Sequence, residues 1–437
     1  MKIGVGVTII TPQSPMLMAG YFDRVTPSIG THDELKARTI YVSHDSVESA
    51  IIACDLLAIG NDVAADIRDL ALKTLGIPGA NIMVTATHTH QGPAGLAKYL
   101  DDVYPEFLTK QVVESIAIAQ KSAREGSFRF VESELKTVSQ NRRDPEGPIE
   151  EVMKVLVATD TQSKVIASVL AYACHPTILE SDNYYYSADF PGPANDLMER
   201  NLGGLSIYLQ GMCGDINPTW SAHDQDAVKL NGEIVGATAL RVALESLQLG
   251  TDRRSVNLSW GVDTPQINYV GNLLTSHGIR SGQSYVHVDR DYPTDLDTAE
   301  AEMASLAKQL EDDPSLANKK KLTPRLMELY GRDDMWKRVD PRGGPGSDDL
   351  EIQAIAISSE CVFLGLPGEF LVEVGAAIQA RSPFKSTIIV GYANGYYEYF
   401  PLSKHFEEHG YEVGSSRYTQ GSTEKMIDAS IELLNSL

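Results

Sequence analysis

The sequence predicts an α/β (α+β) protein of mixed β-sheets flanked by helices, and three observations carry that expectation. Short β-branched, apolar runs recur along the chain, with stretches of helical periodicity between them. Several runs come as adjacent pairs, such as 152–159 and 165–173, which flank the turn-like tetrad Asp160-Thr161-Gln162-Ser163. No stretch approaches the ~18 uninterrupted apolar residues of a membrane span. With 43% hydrophobic and 22% charged residues the chain lies in the globular range, which excludes a mainly disordered protein. Strands in pairs with helices between them read as sheets covered by helices.

The elements follow in order. Residues 1–10 form a short apolar run that goes straight into Thr11-Pro12, a first strand, and 16–29 is a loop punctuated by Pro and Gly. Strands are expected at 37–43 and 49–59. A helix follows at 62–75, with Ala65, Ile67, Leu70 and Leu72 at helical spacing and Asn61 as N-cap. A strand at 81–86 precedes a helix at 104–124, and 131–138 alternates like a strand. After the pair at 152–159 and 165–173 come helices at 193–201 and 227–247, with a short strand at 205–209 between them. The segment 295–338 changes character, with Lys319-Lys320-Lys321 and Pro324. It reads as a helical hairpin inserted in a single domain spanning 1–437 and ending in a Gly-rich loop at 341–346; a linker between two domains is the competing reading. Strands resume at 351–358, 362–366 and 387–390, with helices at 370–381 and 423–434.

The formal net charge of −22 argues against nucleic acid as a partner, since phosphate binding needs clustered Lys and Arg. It also disfavours docking on anionic lipid, so no stable membrane association is expected. Cys54, Cys174, Cys213 and Cys361 are far apart in apolar surroundings, which reads as buried thiols in a reducing compartment. The expectation is a cytoplasmic protein; nothing in the sequence speaks to its oligomeric state.

The stretch that organises the chain is Val84-Thr85-Ala86-Thr87-His88-Thr89-His90-Gln91-Gly92-Pro93. On an extended backbone, residues i and i+2 share a face, so His88 and His90 would aim their rings at one point at a strand end. Such a pair can begin a metal site, and it can equally be two ordinary loop histidines. Further strand-end segments share the design: Ala173-Cys174-His175-Pro176-Thr177, Gly214-Asp215-Ile216-Asn217-Pro218, Leu366-Pro367-Gly368-Glu369-Phe370, and Asn394-Gly395-Tyr396-Tyr397-Glu398-Tyr399, followed by Tyr411-Glu412. Two histidines and a carboxylate with water form a recurrent catalytic zinc set.

In this order, and with Asn141-Arg142 after the first of them, the motifs resemble the neutral/alkaline non-lysosomal ceramidase family, zinc-dependent hydrolases of the ceramide amide bond. Each motif alone is weak; six in one order are specific. The resemblance runs from the first strand to the last helix and implies a single ceramidase-like catalytic domain that binds Zn²⁺. Carried over position by position, it makes His88, His175, Glu369 and Tyr399 the zinc ligands. It makes His90, Arg142 and Tyr411 the polar residues that hold substrate and the developing oxyanion.

Three departures bear on the substrate. Asn217 stands where the family usually has a serine near the active site. Gln91-Gly92-Pro93-Ala94-Gly95 replaces a typical Ser-Gly-Pro-Gly-Gly. The chain stops soon after Tyr411, where the family continues into an immunoglobulin-like domain. The expectation is therefore a metal-activated hydrolase of a smaller, more soluble amide or ester, with ceramide itself as the family's substrate. A zinc enzyme of the same fold acting on a carbohydrate, suggested by the tyrosines at 184–186 and 392–399, is the alternative; a non-catalytic binding protein ranks last.

Overall fold

The computed structural model describes residues 1–96, 103–220, 222–249, 273–274, 278–292, 296–334 and 344–437. Residues 341–343 of the expected Gly-rich loop lie outside the described residues, as do 295 and 335–338 of the expected helical segment. Mixed sheets covered by helices are what the chain forms, so the α/β (α+β) expectation holds.

Among the described residues, one sheet has eight strands in the order Leu205–Gln210, Val165–Tyr172, Val152–Asp160, Arg124–Glu134, Lys2–Ile9, Lys36–His44, Val47–Cys54 and Ile82–Ala86. The outermost pair at each end is parallel and the interior is antiparallel. A second sheet joins Arg280–Asp289, Ser347–Ala356, Cys361–Gly365 and Ser386–Val390, the last pair parallel.

Side-chain alternation stacks these layers. In the Ile82–Ala86 strand, Ile82, Val84 and Ala86 join a core with Val63, Ile67, Val112 and Met198 of the outer helices. Met83 points the other way, into a core shared with Ile355, Phe363 and Ile388 of the second sheet. The second sheet's far face packs Leu364 and Ile352 against Ile378, Met426 and Leu434 of the C-terminal helices. The result is helix, sheet, sheet, helix, with both sheets buried on two faces, which is why their strands read as near-continuous apolar runs.

The differences from the sequence reading are local and have causes. Gly60, not Asn61, is the N-cap of the helix Asn61–Leu75; the Asn61 amide donates instead to the Tyr397 hydroxyl at 3.1 Å. The strand expected to 59 stops at Cys54, where Asp55 folds back and accepts the Lys36 N–H at 3.0 Å. The helix Val103–Ser122 ends before Arg124, which opens a strand reaching Glu134 rather than starting at 131. The strand Arg280–Asp289 was not foreseen; its polar sequence sits at a sheet edge, where packing demands little of it. Leu296–Asp312 and Leu316–Asp334 are helices that pack through Ala299, Leu306 and Leu329, and Pro324 is accommodated inside the second. No described helix is long and apolar enough to cross a membrane. All four cysteines are buried and free.

The first strand lies tight against the helix Val103–Ser122, and Gly6 makes this possible. A Cβ at Gly6 would fall 2.0 Å from the Ser115 carbonyl oxygen, a backbone atom that cannot yield. Gly6→Val is expected to destabilise the fold by about 3 kcal/mol or more, through overpacking. A melting temperature within a degree or two of wild type would refute that reading of the contact.

Candidate functional site

The two sheets meet where several strands end together, and hydrogen bonds sew them. Asn394 N–H donates to the Val84 carbonyl at 2.7 Å and returns a side-chain acceptor to Val84 N–H at 2.9 Å. The Thr85 hydroxyl donates to the Gly391 carbonyl at 2.7 Å. His88, His175, Glu369 and Tyr399 leave these ends and converge.

His88 is not on extended backbone: its φ is 69°, in the left-handed region. The strand has ended at Ala86, and the turn rather than strand alternation brings the rings of His88 and His90 together, with their Nε2 atoms 3.3 Å apart. Such backbone is costly for a residue with a Cβ and persists where surrounding structure imposes it. Here His88 N–H bonds the Leu56 carbonyl at 2.9 Å, its Nδ1 the Leu57 carbonyl at 2.8 Å, and its ring stacks on Tyr392 at 4.0 Å. His175 is held the same way, with Nδ1 at 3.0 Å from the Ile216 carbonyl.

A carbonyl oxygen only accepts, so both Nδ1 atoms carry the proton and both Nε2 atoms present lone pairs. Those Nε2 atoms lie 3.4 and 3.3 Å from the same Glu369 oxygen. Burial pushes the His175 imidazole down to about 4, so it stays neutral near pH 7. Glu369, 3% exposed, is buried between the two. Three buried lone-pair atoms thus face one another, and the His175 Nε2 has no hydrogen-bond partner. Mutually repelling donors in one place are what a divalent cation resolves. Tyr396 donates to the other Glu369 oxygen, fixing which one faces the histidines.

Tyr399 sits beside Glu369 in parallel register and is buried. Burial, then the Glu369 charge, raises its phenol well above the ordinary value. Arg142 donates from Nη2 to the Tyr399 hydroxyl at 3.1 Å and from Nε to Glu412 at 2.7 Å. Its Nη1 is 3.5 Å from the Asn217 side-chain oxygen, which places Asn217 beside Arg142. The Tyr411 ring meets that of Tyr399 edge to face at 5.6 Å.

His90 stands at the edge of the cluster. His88, His90 and His175 offer nitrogens that all lie within 4.8 Å of one another, so a three-histidine set is also sterically available. The His90 Nδ1, however, is buried with no partner, and its Nε2 meets the His88 Nε2 rather than a carbonyl. Burial, then His88 and His175, keep its imidazole neutral. Gly20, at φ 96°, passes so close that a Cβ there would lie 2.5 Å from the His90 ring.

The cluster opens into a cavity of about 720 Å³, within the usual range for small-molecule sites. Its wall includes His88, His90, Glu369, Tyr399 and Tyr411, with Leu17, Met18, Phe22, Leu57 and Leu96 as an apolar side. Two of the tyrosines at 184–186 are engaged elsewhere: Tyr186 is buried and paired with Thr31, and Tyr185 packs over His32. Sequence reasoning gave no role to Arg143 or Glu412, and took Tyr392 and Tyr396 only as part of an aromatic stretch that could suit a carbohydrate. The signal for Glu412 was its place directly after Tyr411; Tyr396 and Tyr392 were masked by the four tyrosines between 392 and 399.

Residues 1–212 match the family model described as neutral/alkaline non-lysosomal ceramidase, N-terminal. The chain is 25% identical over 253 residues to neutral ceramidase B of Dictyostelium discoideum, covering 50% of this chain and 35% of that protein. It is 24% identical over 251 residues to the neutral ceramidase of Pseudomonas aeruginosa, covering 50% and 37%. The matched segment is thus little more than a third of the length of these relatives. The crystal structure of the Pseudomonas aeruginosa neutral ceramidase superposes with a TM-score of 0.75 at 20% identity, over 99% of this chain and 74% of that one. The two share a fold.

Proposed function

Starting from a chain whose residues 1–212 match the model described as neutral/alkaline non-lysosomal ceramidase, N-terminal, we propose that it is a zinc-dependent hydrolase of an N-acyl amide bond. The observation that carries this reading is the convergence of two tautomer-fixed Nε2 lone pairs and one Glu369 oxygen at the wall of a cavity. His88, His175 and Glu369 would hold the ion, with Tyr399 as the fourth ligand. Held there, a zinc ion would lower the pKa of a water towards ~7 and polarise the substrate carbonyl.

The chain's own residues do the rest. Arg142 donates to the Tyr399 oxygen, favouring the charged phenol that ligation needs, and adds positive charge where a tetrahedral oxyanion develops. His90, neutral and with an unpartnered Nδ1, can take up and return a proton at the cavity wall. Tyr411 contributes a hydroxyl to the same wall, and the apolar side formed by Leu17, Met18, Leu57 and Leu96 suits an acyl arm while limiting water.

The departures at Asn217 and at residues 91–95 favour a smaller, more soluble amide or ester over long-chain ceramide. Zinc-loaded protein incubated with a panel of short-chain N-acyl amides and esters should release primary amine or alcohol. The release should stop on chelation and return with zinc. Turnover of long-chain ceramide alone would overturn the assignment to soluble substrates. Release of no product from any acyl substrate by zinc-loaded, folded protein would overturn the hydrolase reading.

A further inference from the structure

We propose that Glu412 is a positioning residue for this site, resting on the reading above: its carboxylate bridges two guanidinium groups and so fixes the one that serves Tyr399. Glu412 is buried, 3% exposed, in a protein with 59 acidic residues. A carboxylate so placed is retained only where it is fully partnered. Both of its oxygens are used: Arg142 Nε donates to one at 2.7 Å and Arg143 Nη1 to the other at 2.7 Å. Burial opposes its charge, but Arg142 and Arg143 outweigh burial and keep it ionised.

This bridge selects the Arg142 rotamer. With Nε committed to Glu412, the Nη2 edge of the planar guanidinium is turned to the Tyr399 hydroxyl. The alternative, in which Arg142 swings towards solvent, would leave Glu412 half-satisfied. Glu408 also pairs with Arg143, so what Glu412 fixes is the position of the Arg142 charge beside Tyr399, where its sign suits a developing oxyanion.

The bridge is itself braced from outside. Arg143 also donates to the His409 carbonyl at 2.9 Å and to Glu408 at 3.2 Å. The His409 ring in turn is 2.5 Å from Glu328, a buried carboxylate on the helix Leu316–Asp334 that also accepts from Arg325 at 2.7 Å. His409 has φ 62°, so the turn into Tyr411–Gly414 is costly and held by these contacts. A continuous set of polar contacts therefore runs from the helical pair through His409, Arg143, Glu412 and Arg142 to Tyr399.

The test compares Glu412→Gln, Arg142→Lys and the double variant, all at saturating zinc on an N-acyl amide that the wild type hydrolyses. Glu412→Gln should lower kcat roughly 10–100-fold, the scale of a misplaced catalytic group, with KM changed less than about threefold and zinc stoichiometry kept. The double variant should be no worse than the poorer single one, because both remove the same arrangement. Glu412→Asp, which keeps the charge, should recover part of the loss and serves the comparison if Gln at 412 does not fold.

A readout independent of turnover is exchange of the Arg142 Nε–H, followed by NMR on arginine-labelled protein. It should be slow in the wild type and faster in Glu412→Gln. Full kcat in Glu412→Gln, additive losses in the double variant, or unchanged Nε–H exchange would each overturn the proposal. A wild type inactive on every amide would instead defeat the hydrolase reading, and the exchange measurement would still decide the role of Glu412.

Discussion

His175→Ala is expected to bind little or no zinc and to lose activity by on the order of 10³-fold or more, because the metal-activated nucleophile goes with the metal. Wild-type protein purified without a metal-affinity step should carry about one zinc per chain by elemental analysis. Of the converging donors, His175 is the cleanest to remove. Its Nε2 has no hydrogen-bond partner to orphan, and its Nδ1 serves only the Ile216 carbonyl. Zinc at wild-type level in folded His175→Ala would exclude His175 as a ligand, and both the proposed set and the three-histidine set would be abandoned.

The same residue gives a signed pH expectation for the metal-free protein. Folding lowers the His175 pKa from its ordinary 6.5 to about 4. Above 6.5 the imidazole is neutral in both states and contributes nothing. As pH falls from 6.5 towards 4, the unfolded chain takes up a proton that the native chain refuses, so native stability is lost over that window. The metal-free wild type should therefore lose melting temperature more steeply across it than metal-free His175→Ala. Parallel curves would show that His175 is not held neutral by burial.

Arg142→Gln is the second large effect. It removes the donor to Tyr399 and the charge beside it, and leaves Glu412 with Arg143 alone. At saturating zinc, kcat should fall by roughly 10²–10³, the cost of losing one preorganised oxyanion-stabilising donor. Zinc affinity should weaken by about 10–100-fold, as when a residue that holds a ligand from behind is lost. Arg142→Lys keeps the charge but not the planar fork, so it should fall between wild type and Arg142→Gln. Separate titration of zinc and of substrate distinguishes the two losses. A kcat within threefold of wild type, with zinc loaded, would remove Arg142 from the proposed machinery.

Much of this protein was legible before any coordinates. The period-2 and period-3.6 patterns placed the strands and helices, and both sheets' apolar strands stood out because they are buried on two faces. The strand-end motifs drew attention to His88, His175 and Glu369, since a histidine or a carboxylate closing an apolar run is conspicuous in a local window. The structure brings these residues, with His90, Arg142, Asn217, Tyr399 and Tyr411, into one neighbourhood.

Tertiary structure alone decided how they meet. Strand alternation was the wrong reason for pairing His88 with His90; a left-handed residue held by the Leu56 and Leu57 carbonyls is the right one, and φ is invisible in a residue name. The tautomers of His88 and His175 are set by carbonyls 31 and 41 residues away in sequence. Glu412 reads in sequence like any other acidic residue, yet its partners lie 270 and 269 residues distant, and their closure buries it. Local sequence fixes what a residue can do. Which lone pairs face each other, and which carboxylate is shut away from water, depends on contacts between segments that only the packed sheets bring together.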